Sequence, residues 1–154
     1  MTMRNYKNDM SIDEKLLMAI VRVAERFKKE ASAVFKEAGL TFSQYNVLRV
    51  LDASDDGENT VRNVNRIMLV SGANMTGITK RLEKAGFIIR KGDPNDERLK
   101  RLEITAKGSQ VLKDIAEEKE RNITRFLENY STEQKEQVLA MLRQILSQTP
   151  QRQP

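Results

Sequence analysis

The stretch that decides the fold of this chain runs from residue 71 to residue 105, SGANMTGITKRLEKAGFIIRKGDPNDERLKRLEIT. Apolar residues recur at helical spacing in its first half, and Gly86 follows where a helix C-terminus favours glycine. Two segments of strand-forming residues come next, 87–91 and 101–104, separated by residues 93–96 (DPND), which are typical of a type I turn. The stretch therefore predicts one short helix followed by a β-hairpin with a charged tip.

Basic residues are concentrated in the same stretch. Between residues 80 and 101 there are eight basic and four acidic residues, an excess of four, while the whole chain carries a net charge of +5. Evenly spread basicity would indicate only good solubility, whereas concentrated basicity is typical of a protein with a polyanionic partner. A short helix followed by a basic hairpin is the layout of a winged helix, so double-stranded DNA is the expected partner. The basic residues are Lys80, Arg81, Lys84, Arg90, Lys91, Arg98, Lys100 and Arg101.

Composition argues against most enzyme classes. The chain has 154 residues, enough for one domain with a sizeable core, and it contains no cysteine and no histidine. Thiol redox switches, thiolate metal sites and Ser-His or Cys-His catalytic pairs are therefore excluded. An enzyme that uses only carboxylates is the remaining alternative, but Asp55-Asp56 is typical of a turn and Glu117-Glu118 of a solvated helix. We expect no enzymatic activity, no cofactor and no bound metal.

The chain shows no sign of membrane association. Its longest apolar run is residues 16–21 (LLMAIV), far short of the roughly 20 residues that span a bilayer. The first residues, MTMRNYKND, lack the apolar core of a signal peptide. A cytoplasmic location is expected.

Helix-capping motifs predict the remaining helices. Ser11 with Glu14 begins a helix that runs to Ala38, before Gly39, and about 27 residues make it roughly 40 Å long. Thr41 with Gln44 begins a second helix. Residues 60–61 are expected to be extended, with a short helix after them. Thr105 is expected to cap one long helix that reaches about residue 130 and crosses open solvent over residues 117–122.

The last helix begins with a third capping box, Ser131 with Gln134, and carries an apolar stripe along one side. Together with the first helix it offers more apolar surface than a winged helix of about 75 residues requires. A bundle within one chain is the alternative, but we predict a homodimer formed by residues 11–35 and 120–147. The stripe consists of Val138, Leu139, Leu142, Ile145 and Leu146.

Several motifs in register resemble the MarR family of bacterial winged-helix transcription regulators. Asp96-x-Arg98 followed by residues 102–108 (LEITAKG) is similar to that family's wing and the start of the next helix. Residues 70–76 resemble the entry to its recognition helix, residues 82–88 the exit, and residues 39–44 the start of its second helix. Each motif alone is weak, but their order matches over residues 11–147.

The resemblance implies a mainly α-helical fold with a small β-hairpin wing, in which long N- and C-terminal dimerisation helices flank a winged helix-turn-helix core. Residues 1–154 would form a single domain. Within it, residues 40–108 would form the DNA-binding lobe, residues 11–38 and 109–147 the dimerisation helices, and residues 1–10 and 148–154 flexible tails. The expected function is sequence-specific DNA binding at a pseudo-palindromic operator, most often to repress transcription. The alternative is a winged-helix protein–protein interaction module without DNA binding.

The resemblance also implies which residues touch DNA. Arg98 is the strongest candidate because a narrow minor groove attracts an inserted arginine, and Asp96 would orient it; the alternative is a surface ion pair of little energy. Gly77 departs from a family pattern with arginine there, and it removes a base-reading side chain or lets the backbone approach the duplex. Arg62 departs from a pattern with a small capping residue and is expected to touch phosphate. The complete candidate set is Arg62, Ser71, Gly72, Ala73, Asn74, Thr76, Gly77, Lys80, Arg81, Lys91, Asp96, Arg98, Lys100 and Arg101.

Many family members release DNA when a small aromatic or lipophilic effector binds between the dimerisation helices and the DNA-binding lobe. The alternative for the residues expected at such a site is that they belong to the ordinary hydrophobic core. The candidate effector-binding residues are Met18, Val21, Phe42, Tyr45, Asn46, Val111 and Ile115.

Overall fold

The computed structural model describes residues 9–68, 72–92, 95 and 100–148. The described part is mainly helical with one small antiparallel sheet, as predicted. The elements in chain order are α1 (Ile12–Glu37), α2 (Phe42–Asp52), a 3₁₀ turn (Asp55–Gly57), β1 (Glu58–Thr60), α3 (Val61–Met68), α4 (Gly72–Lys84), β2 (Ile88–Gly92), β3 (Lys100–Ile104), α5 (Ala106–Asp114), α6 (Ala116–Leu127) and α7 (Thr132–Gln148).

The predicted caps set the helix boundaries. The Ser11 hydroxyl accepts a hydrogen bond from the Glu14 amide at the start of α1. Thr41 and Gln44 form a reciprocal capping box at the start of α2, which satisfies two backbone donors that the helix itself leaves unpaired. Ser131 and Gln134 exchange the same two hydrogen bonds at the start of α7.

Two glycines end helices in the left-handed region that other residues avoid. Gly39 follows α1 at φ +74°, and Gly86 follows α4 at φ +80°. These two turns let the chain change direction between α1 and α2 and between α4 and β2.

The sheet has three strands in the order β1-β3-β2, one more than the predicted hairpin. Thr60, expected to be extended, pairs with Arg101, and the short strand β1 thereby lies along β3. Val61, expected to be extended too, instead begins α3, because the Thr60 hydroxyl caps that helix by accepting from the Asn63 amide at 3.1 Å.

The core lies between the sheet, the helices of the lobe and the C-terminal end of α1. Leu102 of β3 and Met75 and Leu82 of α4 are fully buried in one core cluster, so α4 is packed directly against the sheet. The other buried apolar residues are Ala31, Val34, Phe35, Leu40, Tyr45, Val47, Leu48, Leu51, Val64, Phe87, Ile88, Leu112 and Ile115.

The single long helix predicted after Thr105 is two helices, α5 and α6, that meet at Ile115. Ile115 has φ −96° and ψ −1°, well away from the ψ of about −42° of a regular α-helix. No proline or glycine marks the bend. It lies where the packing partner changes, since α5 packs on α2 and β3 whereas α6 packs on α1.

The expectation that residues 117–122 cross open solvent is also wrong in part. Asn122 is only 6% exposed, and Glu118 and Lys119 are half-buried, because this part of α6 lies against α1. By contrast, large apolar residues of α1 and α7 remain exposed in the isolated chain. They include Leu16, Leu17, Val23, Leu139, Met141 and Leu146.

Parts of the predicted organisation lie outside the described residues. These are most of the tails 1–10 and 148–154 and, apart from Asn95, the turn 93–96. Among the described helices, none combines the length and the hydropathy needed to cross a bilayer.

Candidate nucleic-acid interface

Helix α4 has one buried face and one exposed polar face. Met75, Thr79 and Leu82 point into the core, and the Thr79 hydroxyl donates to the Thr76 carbonyl at 3.2 Å, so it is satisfied within the helix. The opposite side is polar and basic. The exposed candidate residues of α4 are Asn74, Thr76, Lys80 and Arg81.

For five of the candidate DNA-contact residues, the side-chain surroundings lie outside what the structure describes. Gly72 and Ala73 are in the first turn of α4. Ser71, Asp96 and Arg98 lie outside the described residues, so their predicted roles stay predictions.

Gly77 lies in the middle of α4 with open space beside it. A Cβ atom built there meets nothing within 4 Å, so the packing of this chain does not require glycine. Glycine in a helix interior costs roughly 1 kcal/mol relative to alanine. The glycine therefore reduces helix stability without relieving any intramolecular crowding.

On α3, Arg62 is exposed two residues after Thr60, the residue that caps the helix. The capping role that the family pattern assigns to position 62 is thus filled two residues earlier. This leaves the Arg62 guanidinium available for an anion.

The outward face of the sheet carries alternating charges. The strand register places Lys91 opposite Arg101 on the face that points away from the buried Leu102. Lys91 pairs with Glu103, and Arg101 pairs with Glu58 of β1. The hydrogen bond to Glu103 raises the pKa of the Lys91 ammonium, which keeps it charged.

Arg90 links the sheet to α4. Its guanidinium is 2.6 Å from a carboxylate oxygen of Glu83 in α4, and both side chains are about one-third exposed. Since Arg90 is already engaged, it is a positioning residue between β2 and α4 rather than a free cation.

The ion pairs reduce the positive charge that the sequence alone suggested. Of the basic residues between positions 80 and 101, Arg90, Lys91 and Arg101 have acidic partners. Within the described ranges, the other four form no ion pair: Lys80, Arg81, Lys84 and Lys100. The unpaired charge is therefore centred on the exposed side of α4 and the outer end of the wing.

A second candidate site is a cavity of about 230 Å³ where α1, α2 and α6 meet. Phe42, Tyr45 and Asn46 line it, as the sequence predicted for an effector site. The other four predicted residues lie elsewhere: Met18 and Val21 are exposed on α1, and Val111 and Ile115 pack against the core of the lobe.

Sequence reasoning missed most of the cavity wall. Asn122 and Lys119 were assigned to solvent because their surroundings in the sequence are polar, and Arg49 carries no local signal. The residues that line the cavity but were not predicted are Phe27, Ala31, Val34, Phe35, Arg49, Lys119, Asn122 and Ile123.

The cavity has an aromatic interior and a cationic edge. The rings of Phe35 and Tyr45 stack with centroids 3.9 Å apart, and Phe27 meets Phe42 edge to face at 6.0 Å. Burial raises the pKa of the Tyr45 hydroxyl, the positive charge of Arg49 lowers it and the negative charge of Glu120 raises it. Tyr45 is therefore a neutral phenol at physiological pH.

Among the described residues, no group of three or more aspartate or glutamate side chains is arranged to hold a metal ion. A larger open cleft of about 1060 Å³ lies between α2, the 3₁₀ turn, β1 and α3, and Asn46 and Arg49 line both this cleft and the smaller cavity. These two residues of α2 therefore lie between the cleft and the cavity.

Comparisons with known sequences agree on one family. The sequence model described as the MarR family matches residues 38–99. An uncharacterised HTH-type transcriptional regulator of Bacillus subtilis, YkoM, is 30% identical over 109 residues, which span 70% of this chain and 69% of that protein. The HTH-type transcriptional regulator SarZ of Staphylococcus epidermidis is 24% identical over 82% of this chain and 93% of its own length.

Solved structures have the same fold. A MarR family transcriptional regulator from Streptomyces coelicolor, crystallised in complex with DNA, superposes with a TM-score of 0.82 at 18% identity and covers 96% of this chain and 94% of that chain. An organohalide-sensing transcriptional regulator in its 2,4-dichlorophenol-bound form superposes with a TM-score of 0.84 at 17% identity, with coverage of 97% and 89%. At this level of identity the likeness establishes the architecture.

Proposed function

Because this chain belongs to the MarR family of transcriptional regulators, we propose that it acts as a homodimeric repressor that binds a pseudo-palindromic operator and releases it when a small ligand binds. Proteins of this family are DNA-binding regulators rather than enzymes. The observation that carries the proposal is the two-sided recognition helix: α4 buries Met75 and Leu82 and leaves Lys80 and Arg81 exposed and unpaired within the described part of the chain.

The physical role of each element follows from the charge distribution. Lys80 and Arg81 on α4 and Lys100 on the wing offer cations that neutralise phosphates and release counterions. Asn74 and Thr76, near the helix N-terminus, offer short polar side chains that can reach base edges. We propose that Arg98 enters the adjacent minor groove, where it would add the wing contact.

The dimer proposal rests on the exposed apolar residues of α1 and α7. Leu16 and Leu17 are about half exposed in the isolated chain, and so is Leu139. Apolar surface of this extent at both chain ends favours a partner, and two-fold symmetric pairs are the commonest assemblies. A two-fold dimer would present its two α4 helices to successive major grooves about 34 Å apart.

The ligand proposal rests on the cavity between α1, α2 and α6. The cavity lies between α1 and α6, which belong to the proposed dimerisation region, and α2 of the DNA-binding lobe. A small molecule bound there would favour one orientation of the lobe over another, provided that it binds the two orientations with different affinities.

Fluorescence anisotropy tests the DNA-binding proposal. The labelled duplex is the region upstream of the protein's own gene, with a random duplex of equal length as competitor, over a series of salt concentrations. We expect preferential binding to the upstream duplex and an affinity that falls steeply with salt. Lys80→Ala and Arg98→Ala should each weaken binding, and the loss of a phosphate contact at Lys80 should reduce the salt slope by about 1.

The matched control is Lys113→Ala, which removes an equivalent exposed cation from α5. It should bind DNA as the unmodified protein does. The proposal would be contradicted if the protein showed no preference for the upstream duplex and if Lys80→Ala, Arg98→Ala and Lys113→Ala lost DNA affinity equally. That result would favour the protein–protein interaction module.

A further inference from the structure

The turn that follows α4 is closed by two backbone hydrogen bonds. The Phe87 amide donates to the Leu82 carbonyl at 3.0 Å. The Gly86 amide donates to the Glu83 carbonyl at 2.9 Å, and the two bonds together make a Schellman motif. The carbonyl groups of residues 85–87 take no part in these bonds, so each of them needs another donor.

The start of α5 supplies a donor to each of these three carbonyls. The Lys107 ammonium donates to the Ala85 carbonyl at 2.6 Å. The Thr105 hydroxyl donates to the Gly86 carbonyl at 2.6 Å. The Thr105 amide donates to the Phe87 carbonyl at 3.0 Å. Two residues at the beginning of α5 therefore bind three successive carbonyls at the end of α4.

The Lys107 side chain lies across this turn. Its ammonium is 4.9 Å from the centroid of the Phe87 ring, within the roughly 6 Å over which an aromatic face attracts a cation. A Cβ atom built on Gly86 would lie 3.7 Å from the Lys107 Cδ atom, so the lysine stem passes over that glycine. No carboxylate of the described residues lies within 4.0 Å of the ammonium. Its charge therefore acts on the C-terminal end of α4, where the helix dipole favours a cation.

Helix α5 itself does not account for a lysine at this position. Thr105 caps α5, because its hydroxyl accepts from the Gly108 amide at 3.1 Å. Lys107 is exposed in the first turn of α5, where the dipole of that helix disfavours a positive charge. The position is favourable only with respect to the end of α4.

Lys107 joins two parts of the chain that have different proposed roles. Helix α5 continues through the bend at Ile115 into α6, which packs on α1. The proposed base-reading residues Asn74 and Thr76 lie in the opposite half of α4, and Thr76 is about 14 Å along the helix axis from Ala85. A change in direction at the Ala85 end therefore displaces the end that would read bases.

We infer that Lys107 is a positioning residue for DNA recognition, whose ammonium holds the C-terminal end of α4 against the start of α5 without touching DNA. The inference rests on the proposed DNA-binding function and deepens it. A helix that is already held in one orientation does not have to be ordered when it binds. Base contacts need that one orientation, whereas binding to random duplex depends mainly on phosphate charge. Loss of Lys107 should therefore reduce sequence preference more than general affinity for DNA.

Fluorescence anisotropy of full-length Lys107→Met tests the inference, with the duplex upstream of the protein's own gene and a random duplex of equal length. Methionine keeps an unbranched apolar stem and removes the charge and the donors. Affinity for the upstream duplex should fall about fivefold, the upper end of what one exposed cation at a helix end contributes. Affinity for the random duplex and the salt slope should not change.

Two further variants control this measurement. Lys107→Arg keeps a cationic donor and should retain the preference for the upstream duplex. Lys113→Met removes an exposed cation from the other end of α5 and should behave as the unmodified protein does. An unchanged preference in Lys107→Met, or an equal loss in Lys107→Arg, would overturn the inference. A salt slope reduced by about 1 for both duplexes would overturn it too, because Lys107 would then contact phosphate directly.

Amide hydrogen exchange followed by NMR tests the contact in the DNA-free protein. In Lys107→Met the amides of Ala85, Gly86 and Phe87, which close the turn, should exchange faster, while those of α6 should not change. Unchanged exchange at these three amides would overturn the inference whatever the DNA result. Faster exchange, together with no preference for the upstream duplex in the unmodified protein, would contradict only the proposed function.

Discussion

Lys91 of β2 pairs with Glu103 of β3 on the outward face of the sheet, one step diagonal to the direct register in which Lys91 faces Arg101. Arg101 in turn pairs with Glu58 of β1. The four residues form an alternating row of charges across the three strands. Two of the cations that the sequence assigned to phosphate contact are therefore engaged within the sheet before DNA arrives.

The charge row leads to a prediction about DNA affinity. Glu103→Gln would release Lys91 to interact with phosphate, so binding to any duplex should strengthen and the salt slope should become steeper by up to about 1. Anisotropy over a salt series measures both quantities. Glu25→Gln, which removes the same charge from α1, is the control and should change neither. Weaker DNA binding in Glu103→Gln would contradict this prediction. It would mean that Glu103 holds Lys91 in position for DNA and does not compete with phosphate for the Lys91 ammonium.

Gly77→Ala should affect stability and DNA binding in opposite directions. The added methyl group meets open space, so the helix should gain up to about 1 kcal/mol of stability. If the α4 backbone lies close to the duplex at this point, the same methyl group should weaken operator binding. Urea unfolding and anisotropy on one preparation measure both effects. Unchanged operator affinity would show that Gly77 does not lie close to the duplex.

Gly108→Ala, the same substitution one helix later, should destabilise the protein. A Cβ at Gly108 would lie 2.4 Å from the Phe87 carbonyl oxygen and 2.7 Å from a side-chain carbon of Ile104. Crowding of this kind typically costs about 1–3 kcal/mol, which outweighs the helix-propensity gain of about 1 kcal/mol. Urea unfolding, with Gly77→Ala as the reference, tests the sign of the change in the free energy of unfolding. Equal stabilisation of the two variants would contradict the close approach of α5 to Phe87 and Ile104.

Charged substitutions on α7 should dissociate the proposed dimer. Leu139 is 46% exposed and Leu146 65% exposed in the isolated chain. Leu139→Glu together with Leu146→Glu would bury uncompensated charge in the proposed interface, so light scattering after size exclusion should give the mass of one chain. Gln137→Glu, an exposed position on the same helix, should leave the dimer intact. A dimer that persists in the double variant would place the interface elsewhere.

The sequence predicted the parts of the fold that depend on local chemistry. Ser11, the Thr41-Gln44 box and the Ser131-Gln134 box cap helices because their side chains satisfy backbone donors nearby. Gly39 and Gly86 end helices because they adopt positive φ. These features need only a few neighbouring residues, so they can be read without knowledge of the tertiary structure.

The features that the sequence did not predict depend on distant partners. The bend at Ile115 comes from a change of packing partner between α5 and α6, and no breaker residue marks it. β1 is a strand because β3 lies beside it. Asn122 lies in a polar segment, yet α1 covers it, so its burial and its amide oxygen without a donor among the described residues could not be recognised without the structure.

Footprinting of the protein on the region upstream of its own gene tests the central claim, that this chain is a dimeric, sequence-specific DNA-binding regulator. Hydroxyl-radical cleavage resolves individual backbone contacts. The account predicts two protected segments related by a dyad, with centres about one helical turn, roughly 10 base pairs, apart, that persist in an excess of random duplex. Protection that is uniform along the fragment, or that disappears with random duplex at equal concentration, would contradict it.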